Sequence, residues 1–308
     1  MSKEGAAATR LAVTGATGFV GGAVRRAAED AGWSVLGLGR RAGADRRWDI
    51  TDGPLTDPPD VDAVVHCAGS ASDTADRRAQ WAANVEGTAN VLASFPGARF
   101  VHVSTASVYD PLRPTALADE DRAPVARYPD AYGASKAAAE RLVRARRPDA
   151  VVLRPHAVYG PGDTTLLPRV LAAVRGGTLV AVGDGTQRIS LTSVDNLAQA
   201  CLLAARGGAT GVFNITDDAP VPLADALAAV LAARGVAARV RFVPLAVAFP
   251  LACAAELAHR WRGAGGAPRL TRYAARHLAR ERTLDITRAR TELGYRPSPT
   301  SFAGAATW

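Results

Sequence analysis

The 308-residue chain is poor in lysine, cysteine and methionine, and it has no long apolar run. Its three cysteines, Cys67, Cys201 and Cys253, are odd in number, scattered and without metal-ligand spacing. That excludes a disulfide framework and a zinc ribbon, and predicts free thiols in a cytoplasmic protein with no metal site. No stretch reaches the roughly 20 apolar residues of a membrane span. The nearest, Phe242 to Ala258, is interrupted by Pro244 and Pro250. The opening residues MSKEGAAATR contain no signal-peptide core, so export is not expected. Acidic residues are in deficit, 29 against 37 basic, which gives a formal charge of +8. The arginines are dispersed along predicted helices with no basic–aromatic stripe, which argues against a nucleic-acid partner. Only Lys3 and Lys136 are lysines; the other 35 basic residues are arginine. Where arginine fills nearly every generic cationic position, a retained lysine hints at a place that needs an ammonium.

What is present is a rhythm of short apolar strands and helical segments, the pattern of a parallel sheet covered on both faces. Strands are expected at Leu11–Thr14, Ser34–Leu38, Ala63–His66, Phe100–Ser104 and Ala150–Leu153, with further ones near Leu179–Val182 and Val212–Ile215. Helices are expected from the glycine-rich turn to about Ala31, over Trp81–Ala93, and from about Asp130 to Arg146. Later helices are expected near Leu166–Val174, Val194–Ala205 and Pro222–Ala233. The fold class is therefore α/β: a Rossmann-type, doubly wound parallel sheet with a smaller, mostly helical C-terminal substrate lobe. Residues 1–165 form the cofactor-binding domain in this reading, with 189–217 returning to it. Residues 166–188 and 218–308 form the substrate lobe.

Thr14-Gly15-Ala16-Thr17-Gly18-Phe19-Val20-Gly21 follows an apolar strand and opens a helix. Gly15 permits the tight turn, Gly18 lets a pyrophosphate approach the backbone, and Gly21 allows close helix packing. The helix N-terminus supplies donors and a positive dipole for phosphates. The end of the second strand carries Gly39-Arg40-Arg41 where an NAD site places an acid. Two guanidiniums can fork onto a 2′-phosphate, so NADP(H) is expected over NAD(H).

Tyr132-Gly-Ala-Ser-Lys136 lies near the start of a predicted helix, with the Tyr and Lys side chains one turn apart on one face. A phenol with a pKa of about 10 is a poor acid–base catalyst at neutral pH. A nearby ammonium favours the phenolate, and the lysine can also hold a ribose. The pair follows the strand Val101–Ser104 and the segment Thr105-Ala-Ser-Val-Tyr109, whose hydroxyls can steady a substrate carbonyl.

As a set, TGATGFVG, Asp49-Ile50, HCAG at 66–69, NVEGT at 84–88, VSTASVY at 103–109, YGASK and LRPHAVYGPG at 153–162 resemble the extended short-chain dehydrogenase/reductases. This is the NAD-dependent epimerase/dehydratase superfamily, and LTSVDNLAQA at 191–200 and LDITRARTELGYRP at 284–297 extend the likeness over nearly the whole chain. PGDTTLLPRVL, the VDN stretch and the apolar segment after Pro244 are most similar to its 3β-hydroxysteroid dehydrogenase-like branch. The resemblance implies Thr105 as the triad hydroxyl, Tyr132 as acid/base and Lys136 as its activator. It implies Gly15, Thr17, Gly18, Phe19 and Val20 at the pyrophosphate, and Asp49 and Ile50 at the adenine. Ala68 and Gly69 would run under the cofactor, with Asn84, Pro155 and His156 towards the nicotinamide. Ser104 and Ser107 are the alternative hydroxyls, and His66 and His102 read as satisfied core residues. A homodimer is what such proteins commonly form.

Departures narrow the reaction. The acidic pair that dehydratases of this superfamily carry after the triad threonine is replaced by Ala106 and Ser107. The asparagine that many sugar-nucleotide enzymes use is replaced by Ala157, although Arg188 matches a phosphate-contacting arginine. The expected activity is an NADP(H)-dependent ketoreductase or hydroxysteroid-dehydrogenase-like reaction on a bulky, apolar small molecule. The alternatives are a nucleotide-sugar epimerase or reductase with bound NAD, and a non-catalytic NADP-binding sensor. The segment Phe242–Ala258 is either an apolar lid over substrate or a core or dimer helix.

Overall fold

The computed structural model describes residues 8–71, 76–261, 275 and 279–308. Residues 1–7, with Lys3, and the side chain of Ala258 lie outside the described residues. Seven strands form the main sheet: β1 (Arg10–Thr14), β2 (Ser34–Gly39), β3 (Arg46–Arg47), β4 (Ala63–His66), β5 (Arg99–Val103), β6 (Val151–Pro155) and β7 (Gly211–Ile215). All pairings in it are parallel, and the spatial order is β7-β6-β5-β4-β1-β2-β3. The order reverses between β1 and β4, the switch point at which open α/β sheets bind ligands beyond their strand ends.

The strands read as nearly continuous apolar runs because helices cover both faces. Leu11, Val13, Val65, Val101 and Leu153 pack with α1 (Phe19–Asp30) and, further along the chain, the helix Val194–Arg206. Ala12, Val64, Phe100 and Val152 face the opposite layer, which includes Val91, Leu92 and Val143. Burying each such aliphatic side chain contributes about 1.5–3 kcal/mol. Helix α1 stops where Gly32 takes φ of 77°, a left-handed conformation that ends helices cheaply only at glycine.

The helix expected over Trp81–Ala93 is two helices, α2 (Arg77–Trp81) and α3 (Gly87–Ser94), joined by a π-helical turn at Ala82–Glu86. Helix α4 (Ala131–Arg146) starts where the sequence placed it, because the Asp130 carboxylate accepts the Gly133 N–H at 2.7 Å. Such a cap contributes about 1 kcal/mol.

Later in the chain come α5 (Leu166–Ala173), α6 (Val194–Arg206), α7 (Leu223–Ala233) and α8 (Leu245–Trp261). Outside the main sheet lie short strands, of which Thr178–Val182 was expected from the sequence and the others were not. Val174–Arg175, Thr178–Val182 and Arg239–Val243 make a three-stranded sheet. Thr115–Ala118, Arg188–Ile189, Val221–Pro222 and Arg282–Leu284 make a four-stranded one. Helix α8 runs through Pro250; Ala248 and Ala252 pack against Val182, while Val247, Leu251 and Leu257 are exposed. No helix among the described residues is long and apolar enough to cross a membrane.

Candidate active site

The loops after β1, β4, β5 and β6 meet the first turn of α4 at the carboxyl edge of the sheet. Gly15 has φ of 70°, and a Cβ there would lie 2.9 Å from the Ala68 amide nitrogen. A Cβ on Gly21 would lie 2.3 Å from the Gly15 carbonyl oxygen, so the close approach is between helix and loop. Gly18 is the N-cap of α1 and offers no side chain to the first turn, where the helix donors converge. A twelve-residue helix without a side-chain cap, behind a glycine-rich loop, fits a diphosphate. Thr17 borders the following turn: a Cβ on Gly39 would be 3.4 Å from its Oγ1. Phe19 and Val20 are half-buried beside the loop.

Arg40 and Arg41 are exposed on that turn. Arg40 reaches the Asp49 carboxylate at 3.3 Å. Burial pushes Asp49 up, but hydrogen bonds from Thr51 and the Arg40 charge outweigh it and hold the carboxyl below its ordinary range. Ile50 is buried under α3, where a Cβ on Gly87 would lie 2.5 Å from it.

The loop after β4 is fixed by a directional hydrogen-bond chain. Ala68 N–H donates to Thr14 Oγ1 at 3.1 Å, and Thr14 lies 2.7 Å from His66 Nδ1. His66 Nε2 lies 3.0 Å from Thr88 Oγ1, which donates to the Asn84 carbonyl at 2.6 Å. Because the Thr88 proton is committed, His66 must donate from Nε2 and accept at Nδ1. Burial, then the Lys136 charge, push His66 down to about 3, so it is neutral in this chain. Asn84 sits in the π-helical turn and clamps the same loop. Its Oδ1 accepts Ser70 N–H at 2.8 Å, and its amide donates to Ser70 O at 3.1 Å and Ser135 Oγ at 2.9 Å. A Cβ on Gly69 would be 2.7 Å from Asn84 Oδ1.

Thr105 caps the short turn Ala106–Val108 and lies within hydrogen-bonding reach of the half-buried Tyr132. Its Oγ1 accepts Ser107 N–H at 3.1 Å. Gly133 makes this approach possible, since a Cβ there would be 2.9 Å from the Ser107 carbonyl. Burial raises the Tyr132 phenol above its ordinary value; the Thr105 hydrogen bond lowers it and the Asp130 charge raises it. Lys136 is buried and donates to the Val103 carbonyl at 2.7 Å. Burial pulls its ammonium down to about 8, against the charge of Glu140. Thr105 thus lies near Tyr132, and Lys136 stands one turn further along α4 with its ammonium turned to the strand end.

The alternative hydroxyls are otherwise engaged. Ser104 donates to Glu140 at 2.5 Å, and Ser107 pairs with Thr105 at 3.3 Å. His156, just past Pro155 at the end of β6, is buried with Nδ1 2.6 Å from the Ser190 carbonyl. Burial pushes it down to about 4. Arg188 is exposed and donates to the Pro220 carbonyl at 2.7 Å. His102 departs from expectation: it is buried, its ring lies tilted 5.3 Å from that of His66, and neither ring nitrogen has a partner among the described residues. Such an unmet group costs about 1–3 kcal/mol.

The profile of the NAD dependent epimerase/dehydratase family matches residues 11–216. The chain belongs to that family. It is 31% identical over 316 residues to a 2-alkyl-3-oxoalkanoate reductase of Shewanella oneidensis, across 92% of this chain and 81% of the relative. It is 38% identical over 245 residues to the 4-hydroxy-2-methyl-3-oxo-4-farnesyl-3,4-dihydroquinoline-1-oxide ketoreductase of Stigmatella aurantiaca, across 76% and 72%. Among solved structures, UDP-glucuronic acid 4-epimerase from Bacillus cereus in complex with NAD superposes with a TM-score of 0.71. That match is 21% identical, covers 97% of this chain and 94% of the other, and is a likeness of fold. This member of the epimerase/dehydratase family is an NAD(P)-dependent oxidoreductase acting on CH–OH or C=O groups.

Two buried arginines around this family's catalytic segment were not singled out from the sequence. Arg154, on β6, pairs with Glu140 through Nε at 3.0 Å and its terminal nitrogen at 2.7 Å, and both side chains are fully buried. It also donates to the Glu120 and Ala123 carbonyls at 2.8 and 2.9 Å and lies over the Tyr109 ring. Arg282 donates to the carbonyls of Asp110 at 3.0 Å and of Arg113 and Pro111 at 2.8 Å each. An arginine inside the apolar strand VVLRP was the available signal, because a buried guanidinium requires a partner.

Proposed function

We propose that this protein is an NADP(H)-dependent ketoreductase, working in either direction on a bulky, apolar ketone or secondary alcohol. The observation that carries the reading is the closeness of Thr105 to Tyr132, with Lys136 one turn further along α4, in a sheet whose first helix α1 has no side-chain cap. The nicotinamide supplies or accepts the hydride when bound. Thr105 polarises the substrate oxygen, and Tyr132 exchanges the proton with it. Lys136 holds the nicotinamide ribose and biases Tyr132 towards phenolate once its ammonium faces the cleft. Arg40 and Arg41 take the 2′-phosphate, with Asp49 and Ile50 at the adenine. Gly15, Thr17, Gly18, Phe19 and Val20 line the diphosphate, and Ala68, Gly69, Asn84, Pro155 and His156 lie along the cofactor.

The named reductases among its relatives support an apolar substrate carrying a ketone. In this reading residues 1–165 and 189–217 hold the cofactor, and 166–188 with 218–308 form the substrate lobe. The free, scattered cysteines fit a cytoplasmic location. The test is Tyr132→Phe assayed with NADPH and a panel of bulky ketones. Turnover should fall at least about 100-fold while NADPH still binds. Near-normal turnover in that variant would overturn the mechanism.

A further inference from the structure

Tyr132, Lys136 and Glu140 stand on successive turns of α4, each four residues from the next. Lys136 is buried, yet the catalytic reading requires it as an ammonium. The titratable groups around it come from three sources. His66 on β4 and His102 on β5 feel its charge, and burial keeps both far below their ordinary values, so they are neutral. Cys67, just after β4, is pushed up to about 12 by burial and stays a neutral thiol. Tyr132 on the same helix is raised as well. Among the described residues that influence Lys136, the counter-charge is therefore Glu140.

Glu140 is built for that role. Arg154 grips both of its carboxylate oxygens, at 3.0 and 2.7 Å, and Ser104 donates to it at 2.5 Å. Ser104 lies between Val103, whose carbonyl accepts from Lys136, and Thr105. The carboxylate is thus held one helical turn below the ammonium and tied to the same strand end. We propose that Glu140, fixed by Arg154, is a positioning residue that keeps the buried Lys136 protonated at the strand end beside Thr105. This rests on the ketoreductase reading for its catalytic meaning, though the effect on Lys136 can be read without any reaction.

Having only two lysines makes the measurement direct. Protein carrying lysine isotopically labelled at Cε gives two resonances, Lys3 and Lys136, whose titration can be followed by NMR. In Glu140→Gln the Lys136 midpoint should fall by about one pH unit, because burial then acts with less opposition, while Lys3 does not move. The high-pH limb of kcat should shift down with it, with KM little changed, and Glu140→Asp should restore part of both. If Glu140→Gln does not fold, Glu140→Gln/Arg154→Met removes the pair together; losing the Arg154 charge offsets part of the effect, so a smaller downward shift is expected. An unchanged Lys136 midpoint in either folded variant overturns the proposal. Absence of carbonyl reduction by the wild-type protein, with the midpoint shift intact, would instead count against the ketoreductase reading alone.

Discussion

Lys136→Arg is the most informative single substitution, because 35 other basic positions in this chain are already arginine. Lys136 sits in a closed space with neutral His66 and His102 nearby, and its ammonium donates to one backbone carbonyl. Burial displaces its pKa from 10.5 to about 8, which corresponds to about 3 kcal/mol carried by the native state at neutral pH. Arginine brings five N–H donors on a larger planar head and cannot discharge by losing a proton. Overpacking costs about 1–3 kcal/mol. Each additional buried donor without an acceptor costs about another 1–3 kcal/mol. The variant should therefore be less stable by at least about 3 kcal/mol, a fall in Tm of roughly 6–12 °C. Lys136→Met should stay near wild type, since losing the Val103 hydrogen bond offsets losing the buried charge, although its activity disappears. Thermal melts of the three proteins, with NADPH binding in parallel, check this. A Lys136→Arg protein that melts with wild type and turns over normally would show that the lysine is incidental.

Arg40→Ala/Arg41→Ala should weaken NADPH binding about 10- to 100-fold and leave NADH binding unchanged, read by cofactor fluorescence; equal losses for both would remove the phosphate role. Ala157 has φ of 47°, a left-handed conformation that is strained for alanine, so Ala157→Gly should raise stability by about 1 kcal/mol in urea melts, and a loss would contradict that account. Stability should fall as pH drops below about 6.5, because unfolded histidines protonate there while His66, held near 3, and His156, held near 4, stay neutral. His66→Gln should flatten that acid slope, measured as ΔG of unfolding against pH. From pH 8 upward the Lys136 contribution runs the same way: the native amine is discharged before the unfolded one, so stability gains, and Lys136→Met should lack that gain.

The parallel strands were legible because both faces are buried, so each appears as an apolar run bounded by turn residues. Ala63–His66 and the start of α4 at Asp130 follow from that and from a cap whose chemistry is local. The glycine loop and the four-residue spacing from Tyr132 to Lys136 are equally local signals. What stayed hidden depends on contacts across the fold. The π-helical turn at Ala82–Glu86 carries no periodicity signal of its own, yet it places Asn84 on the loop after β4. Glu140 and Arg154 meet only once α4 packs on β6. His102 shows the same limit from the other side: its strand position gives its burial, but whether its ring nitrogens find partners is decided by neighbours on β4 and α4. The expected effect of Lys136 on Tyr132 was inferred from their spacing, whereas the ammonium is directed to Val103 and burial dominates the phenol.

Arg154 and Arg282 hold the segment from Tyr109 to Ala123 largely by carbonyl oxygens: Glu120 and Ala123 on one side, Asp110, Pro111 and Arg113 on the other. A carbonyl is the same whatever side chain follows it. The frame is therefore indifferent to much of the sequence it holds, and exposed positions such as Leu112 and Leu117 can be exchanged without loosening the strand end that carries Thr105.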